Sequence, residues 1–309
     1  MEWIVTTAEQ GLRLDKFLAE RERLGSRRRA SVALDRGRVF VNTVEVAAGS
    51  ASVKLAAGDR IRVWMDRPGS ARRRTPAQSG DLRVVFEDDT FIVVDKPAGL
   101  LAVPLERKIE APSVFEQLVT HFRSHGKRKP LTVHRIDRDT SGLVVFAKLP
   151  AAYTALKEQF KRREVERVYR AVVYGTPDPP SGMWRDRLVW DQRALIQKET
   201  HPRDPKGKDA VCRYEVLERF EATSLIEVRL ETGKRNQIRL QARLRGHTLV
   251  GERRYVYGPD NLRPIEFARQ ALHAYRLAFA HPVSGKPLRF EAPIPADLTA
   301  LIARLRQPS

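Results

Sequence analysis

From Asp66 to Gly80 the chain reads Asp66-Arg67-Pro68-Gly69-Ser70-Ala71-Arg72-Arg73-Arg74-Thr75-Pro76-Ala77-Gln78-Ser79-Gly80, with almost nothing that a core could bury. Proline, glycine, serine and four arginines describe a flexible basic linker. This stretch constrains the fold strongly, because a single core cannot run through it. The expected organisation is a small module over residues 1–65, the linker over 66–80, and a larger domain over 81–309. A chain of 309 residues with 42% hydrophobic content has room for both.

In the small module, Leu14, Phe17 and Leu18 stand at i, i+3 and i+4 and predict one short amphipathic helix. Ser26 is a plausible N-cap for a second helix, with Gly37 as its stop. Arg38-Val39-Phe40-Val41-Asn42 alternates as a strand, and the Gly58-Asp59 turn leads into another, Arg60-Ile61-Arg62-Val63-Trp64. The larger domain predicts strands at 82–86 and 91–94. A capping box, Ser113-Val114-Phe115-Glu116, opens a helix whose apolar face is Val114, Phe115, Leu118, Val119 and Phe122. Leu156 and Phe160 anchor a further helix; 225–230 and 288–292 alternate as strands; Leu298, Leu301, Ile302 and Leu305 form a closing helix. Strands and helices do not alternate strictly, which points to an α+β fold with a mixed, largely antiparallel central sheet. Residues 176–211 open with a Pro-rich loop and continue through Trp184, Trp190 and a polar run from Lys198 to Asp209, reading as an irregular excursion.

Charge narrows the partners. Lys+Arg number 57 against 38 Asp+Glu, a net +19, which points to a polyanion and most simply to nucleic acid. The one cysteine, Cys212, excludes an intrachain disulfide framework and a cysteine-rich zinc site, and fits a reducing cytoplasm. No apolar run reaches membrane-spanning length, and Met1-Glu2-Trp3-Ile4 lacks the order of a signal peptide. A cytoplasmic protein is expected. His121 and His125 have a helical ligand spacing, but Phe122 and Arg123 stand where a metalloprotease motif needs its glutamate, so no metal is expected.

The candidate chemistry lies in Val133-His134-Arg135-Ile136-Asp137-Arg138-Asp139-Thr140-Ser141-Gly142, which precedes the apolar strand Leu143-Val144-Val145-Phe146-Ala147. Carboxylates are set among guanidinium groups, which favour the charged form of an acid and also grip phosphates. An ionised carboxylate beside a phosphate-binding surface suits a nucleophile acting on nucleic acid. On charge pattern alone, the ordinary reading is of salt-bridged loop acids.

That segment resembles the H-R-L-D-x-x-T-S-G-L signature of the RluA-type pseudouridine synthases, with Ile136 for the usual leucine. Three more stretches resemble the same family in the same order: Val93-Val94-Asp95-Lys96-Pro97-Ala98-Gly99-Leu100, Val168-Tyr169-Arg170-Ala171-Val172-Val173-Tyr174-Gly175, and Glu231-Thr232-Gly233-Lys234-Arg235-Asn236-Gln237-Ile238-Arg239. With Leu272-His273-Ala274-Tyr275-Arg276-Leu277 and Ala292-Pro293 they span roughly residues 82–295. The small module resembles the S4 RNA-binding domain over about 11–65, whose second helix carries basic residues against RNA phosphates; here these are Arg27, Arg28 and Arg29.

The resemblance implies an isomerase that converts uridine in RNA to pseudouridine without metal or cofactor. Asp137 takes the catalytic aspartate position, as nucleophile at ribose C1′ or base at C2′; Asp139, two residues on, is expected to point elsewhere. Tyr169 matches the tyrosine facing the flipped base, and Arg239 the arginine paired with the aspartate. Arg135 is implied to enter the space the base vacates, and Lys96 is expected among the RNA-binding residues. Ribosomal RNA is favoured over transfer RNA because an S4 domain accompanies the ribosomal enzymes, and a monomer is expected. An RNA-binding relative without activity is the alternative. The chain departs from the family where both histidines of T-G-R-x-H-Q-I-R-x-H give way to Asn236 and Gln241, and where Glu252 replaces an aspartate.

Overall fold

In the computed structural model the chain divides into two compact units, Met1–Gly80 and Asp81–Ser309. The described residues are 1–35, 38–46, 53–65, 82–104, 112–123, 129–256 and 265–307; the linker 66–80, the helix stop Gly37 and His125 lie outside them. In the first unit the elements run β1 (Glu2–Ile4), α1 (Leu14–Ala19), α2 (Arg27–Asp35), β2 (Val39–Val41), β3 (Val44–Glu45) and β4 (Arg60–Val63). The strands form an antiparallel sheet in the order β1-β4-β2-β3. Leu14, Phe17 and Leu18 are wholly buried, packed with Ala30, Ala33 and Leu34 of α2 and with Val39, Ile61 and Val63 of the sheet. Ser26 Oγ accepts the Arg29 amide at 3.2 Å, which starts α2 and leaves Arg27, Arg28 and Arg29 exposed on its first turn.

The second unit is a mixed α+β structure. Its elements are β5 (Arg83–Glu87), β6 (Phe91–Lys96), α3 (Val114–Arg123), β7 (Leu131–Thr132), β8 (Ser141–Ala147), α4 (Pro150–Arg162), β9 (Glu166–Tyr174), β10 (Ser181–Asp191), β11 (Ile196–Glu199), β12 (Lys208–Arg219), β13 (Thr223–Leu230), α5 (Gln237–Leu244), β14 (Leu272–Ala280), β15 (Pro287–Glu291) and α6 (Ala296–Leu305). Nine strands follow one path, β11-β10-β12-β13-β9-β14-β8-β6-β5, with β15 on β14 and β7 on β8. All these pairings are antiparallel except β14 with β8.

β6 and β8 are covered on both faces, which explains their unbroken apolar runs. Ile92, Val94, Val144 and Phe146 pack with Val114, Leu118 and Phe122 of α3. Phe91, Val93, Leu143 and Val145 pack with Ala152 and Leu156 of α4. Ser113 Oγ accepts the Glu116 amide at 3.2 Å, so Ser113 caps α3, while Glu116 Oε2 accepts the Ser113 hydroxyl and not the backbone amide that a full capping box would use.

The parallel contact between β8 and β14 depends on Gly142. Its φ is +112°, and a Cβ there would lie 2.3 Å from the Ala274 carbonyl oxygen, so only glycine fits. This close approach fixes where the segment 133–140 enters β8.

The stretch 176–211 is not an irregular excursion. Most of it forms β10 and β11 and the start of β12, an antiparallel extension of the sheet. Trp184 and Leu188 of β10 are buried, with Trp184 stacked on Tyr214 at 4.7 Å between ring centroids. Between them Asp186 is also enclosed, its carboxylate paired with Arg245 at 2.7 Å and with the Gln241 amide. The inward face is therefore Trp-Asp-Leu, and the acid hides the strand alternation from a hydropathy reading.

Candidate active site

The loop from Val133 to Thr140 is held on its backbone by residues distant in sequence. Thr140 N–H donates to Asp137 O at 3.2 Å and closes a turn; Gly99 N–H donates to Arg138 O at 3.0 Å. Lys96 Nζ donates to the carbonyl oxygens of Arg138, Leu100 and Pro97 at 2.7–2.8 Å. Arg269 donates to Asp139 O at 3.2 Å while paired with Asp297 at 2.7 Å, and the Gln270 amide donates to Thr140 Oγ1 at 3.2 Å. His134 Nε2 accepts the Val145 amide at 3.1 Å; burial lowers its pKa to about 3 and keeps the ring neutral. With its backbone fixed on both sides, Asp137 presents its side chain to a cavity of about 730 Å³, within the range of small-ligand sites.

Arg239 reaches the same point from α5. Its Nη1 donates to Asp137 Oδ2 at 3.0 Å, while Nε and Nη2 make a two-pronged contact with Glu252 at 2.6 and 2.7 Å. Burial opposes the guanidinium charge, and Glu252 and Asp137 more than offset it, raising the pKa. Burial also pushes the Glu252 carboxyl up, but Arg239 and the amides of Arg254 and Tyr255 outweigh it and hold the group below the usual range. Asn236 gives a second side-chain donor to Asp137 Oδ2, through its Nδ2. Tyr169, on β9, lines the cavity; burial pushes its phenol up to about 12, with the Asp137 charge adding to the effect, so the hydroxyl keeps its proton. Arg135 is exposed at the cavity wall. The arrangement can hold a planar ring against Tyr169 with a charged carboxylate beside it.

Comparison with known proteins places the chain in a family. The family model for RNA pseudouridylate synthase matches residues 90–244. The RNA pseudouridine synthase YlyB of Bacillus subtilis is 37% identical over 299 residues, covering 96% of this chain and 94% of that protein. The ribosomal large subunit pseudouridine synthase D of Neisseria meningitidis is 37% identical over 304 residues, covering 96% and 79%. The chain belongs to the RNA pseudouridine synthase family. It is therefore an isomerase acting on RNA. Human RNA pseudouridylate synthase domain containing 4 shares the fold, with a TM-score of 0.59 at 20% identity over 72% of this chain and 93% of that one.

Among pseudouridine synthase residues expected from sequence, Asp137, Tyr169, Arg239 and Arg135 line one cavity. Lys96 requires correction. It is fully buried and its ammonium is spent on three carbonyl oxygens, so it cannot meet RNA. Burial pushes its pKa down to about 7 despite Asp139 and Asp137 nearby; only the three donors of the charged form satisfy all three carbonyls at once. Its place is beneath the Asp137 loop. Asp139 points elsewhere as expected, pairing with Arg138 at 3.0 Å, but the cause is the turn. In an extended chain residues two apart share a face, so alternation would have brought the two acids together. His121 pairs with Glu87 at 2.8 Å, and no group of three metal-ligating side chains occurs among the described residues.

Asn236, Gln241 and Glu252 stand out in the sequence as departures from the family, but nothing local places them. Gln241 is buried at the centre of a polar cluster, donating to Asp186, Ala210 O and Trp184 O and accepting from Gln237 and Cys212. Tyr255, which sequence reasoning missed, is enclosed behind the site. One sequence signal points this way: Gln237, Arg239 and Gln241 alternate with Ile238, Leu240 and Ala242 on one short helix. A helix that places polar and apolar residues all round is either exposed or fully enclosed with its polar groups paired, and here all six are buried.

Proposed function

We propose that this protein isomerises specific uridines in ribosomal RNA, with Asp137 as the reacting carboxylate. The uracil N1 to ribose C1′ bond breaks, the base turns, and C5 bonds to C1′. C5 gives up its proton and N1 takes one, so no electrons leave and no group enters. A uridine stacked in RNA is out of reach and is flipped into the cavity. Tyr169 faces the flipped base, and Arg239 holds the Asp137 carboxylate in place through an ion pair at 3.0 Å. Arg135, a long planar cation, occupies the vacated space and meets backbone phosphate.

The observation that carries this reading is the pairing of Asp137 with Arg239 inside the cavity that Tyr169 lines. Relatives named as ribosomal large subunit pseudouridine synthases support a ribosomal target. The exposed arginines of α2 suit an S4-like RNA-binding role for the first unit, and the net charge of +19 suits it as well.

Mapping pseudouridines in total RNA from a deletion strain against its parent tests the proposal. Loss of pseudouridine at discrete large-subunit RNA positions, restored by the wild-type gene and not by Asp137→Asn, is the expected result. Loss confined to transfer RNA would overturn the ribosomal assignment.

A further inference from the structure

Both side-chain donors to Asp137 converge on one oxygen. Arg239 Nη1 and Asn236 Nδ2 each donate to Oδ2, and no hydrogen bond to Oδ1 occurs among the described residues. Arg239 is fixed by Glu252. Asn236 is fixed differently. It stands at the N-cap of α5 with φ 53°, yet its side chain makes no capping bond. At the start of the helix, Gln237 Oε1 instead accepts the Lys234 amide at 3.0 Å and the Thr232 hydroxyl at 2.8 Å. Asn236 is thereby free to face the carboxylate, and its Oδ1 accepts the Tyr255 hydroxyl at 3.3 Å. That hydroxyl in turn accepts the Gln197 backbone amide at 3.1 Å, from β11.

The direction of this chain is set at both ends. A peptide N–H can only donate and a carboxylate can only accept. With the Gln197 amide donating to the phenol oxygen, the single phenol proton goes to Asn236 Oδ1, and the amide NH₂ is left for Asp137. Reversal would set two acceptors against each other. Tyr255, Gln197 and Asn236 are 1%, 6% and 9% exposed, so water competes little, and buried hydrogen-bond chains reinforce one another. Burial also raises the Tyr255 pKa, which keeps the donor protonated.

We propose that Gln197 N–H, Tyr255 and Asn236 form a one-way relay that, with Arg239, anchors Asp137 Oδ2 and presents Oδ1 as the oxygen that reacts with the ribose. Asn236 and Tyr255 are positioning residues. The proposal rests on the catalytic reading of Asp137. It also gives β11 a role, since the strand supplies the amide that orients the site from behind. Where the family pattern has a histidine at 236, this chain has a donor that cannot titrate.

The test is single-turnover conversion at saturating enzyme, with RNA affinity by filter binding, for Tyr255→Phe, Asn236→Ala, the double variant and Asp137→Asn. Tyr255→Phe removes one oxygen and is expected to slow conversion about 10-fold with affinity unchanged within about twofold. Asn236→Ala is expected to lose roughly 30-fold, and the double variant no more than that, because the Tyr255 hydroxyl acts through Asn236 while the ring that faces Arg239 at 5.5 Å is kept in Phe. Two residues that merely support packing would give additive losses, and that result overturns the relay, as does full rate in Tyr255→Phe. Should Asn236→Ala fail to fold, Tyr255→Phe decides alone. Activity in Asp137→Asn would instead overturn the catalytic reading, and the relay with it. Inactivity there together with additive losses overturns the relay alone.

Discussion

On the floor of the cavity Asp137, Arg239 and Asn236 are satisfied by one another and by Glu252 and Tyr255 behind them, whereas at its rim Lys157, Arg163 and Lys234 make no ion pair with a carboxylate among the described residues. The rim cations crowd instead: burial lowers the Lys234 pKa, and the nearby charges of Arg163 and Lys208 lower it further. The polar groups of the floor are closed on one another. The rim also carries Glu158, paired with Lys161 at 3.4 Å, but around Lys234 the cations stand together at a cost that a bound polyanion would relieve. Under the proposed function, reaction geometry is assigned to the floor, and affinity to the rim and to the basic surface elsewhere.

The largest effect that can break this division is at Asp137. Asp137→Asn keeps the shape and removes the charge, and conversion should fall on the order of a thousandfold or more in single-turnover assays. RNA affinity should hold or rise slightly, since an acid facing phosphates contributes nothing favourable to binding. A loss of affinity matching the loss of rate would merge floor and rim into one function.

Glu252→Gln separates geometry from stability. It leaves Arg239 with one carboxylate in place of two, at a cost of about 3 kcal/mol for breaking a buried pair. The folded Glu252 pKa lies below the ordinary value of 4.5, so its contribution is fully present above pH 4.5 and is lost as pH falls through the lower folded value. The gap in denaturant midpoint between wild type and variant should therefore be widest near neutrality and close in acid. A gap independent of pH would mean that the ionised pair is not what stabilises the floor.

At the rim, Arg163→Ala with Lys234→Ala should weaken RNA binding roughly 10-fold at moderate salt. The slope of log K against log salt should become shallower by about one unit for each phosphate no longer neutralised. Single-turnover rate at saturation should stay within about twofold. Replacing Arg27, Arg28 and Arg29 together should reduce the slope likewise while leaving the cavity untouched. A reduced saturating rate in either variant would show that these cations act in the reaction and not only in binding.

How far the molecule can be read from its sequence follows the same division. Periodic apolar faces mark α1, α3 and α6 directly, because Leu14, Phe17, Leu118, Phe122, Leu298 and Ile302 are buried for that reason alone. The motif residues Asp137, Tyr169 and Arg239 can be named because their local patterns are distinctive. The rest depends on partners far along the chain. Lys96 reads as a surface cation because lysines seldom go fully buried; what holds it inside is a ring of three carbonyl oxygens, of which Pro97 and Leu100 are local but Arg138 lies 42 residues away. β10 is obscured because Asp186 occupies its inward face opposite Arg245, 59 residues away. Asn236 is visible only as a departure, since its partner Asp137 lies 99 residues earlier.

The smallest expected effect compares two acids two residues apart. Among the described residues Asp139 pairs with its exposed neighbour Arg138 alone and remains 35% exposed, whereas its backbone carbonyl is the part that Arg269 holds. Asp139→Asn keeps that carbonyl, and an exposed pair contributes about 0–1 kcal/mol. Stability and single-turnover rate should both remain within about twofold of wild type. The one charge effect to expect runs through Lys96, whose buried ammonium Asp139 helps to hold protonated. Asp139→Gln and Asp139→Ser should then resemble Asp139→Asn, because all three lose the same charge and keep the same backbone. A large loss in all three would place the decisive charge at 139 and leave Asp137 as the partner of Arg239. A loss in Asp139→Ser alone would point to side-chain packing in the turn. Full activity throughout leaves Asp137 as the acid of this loop on which the rate depends.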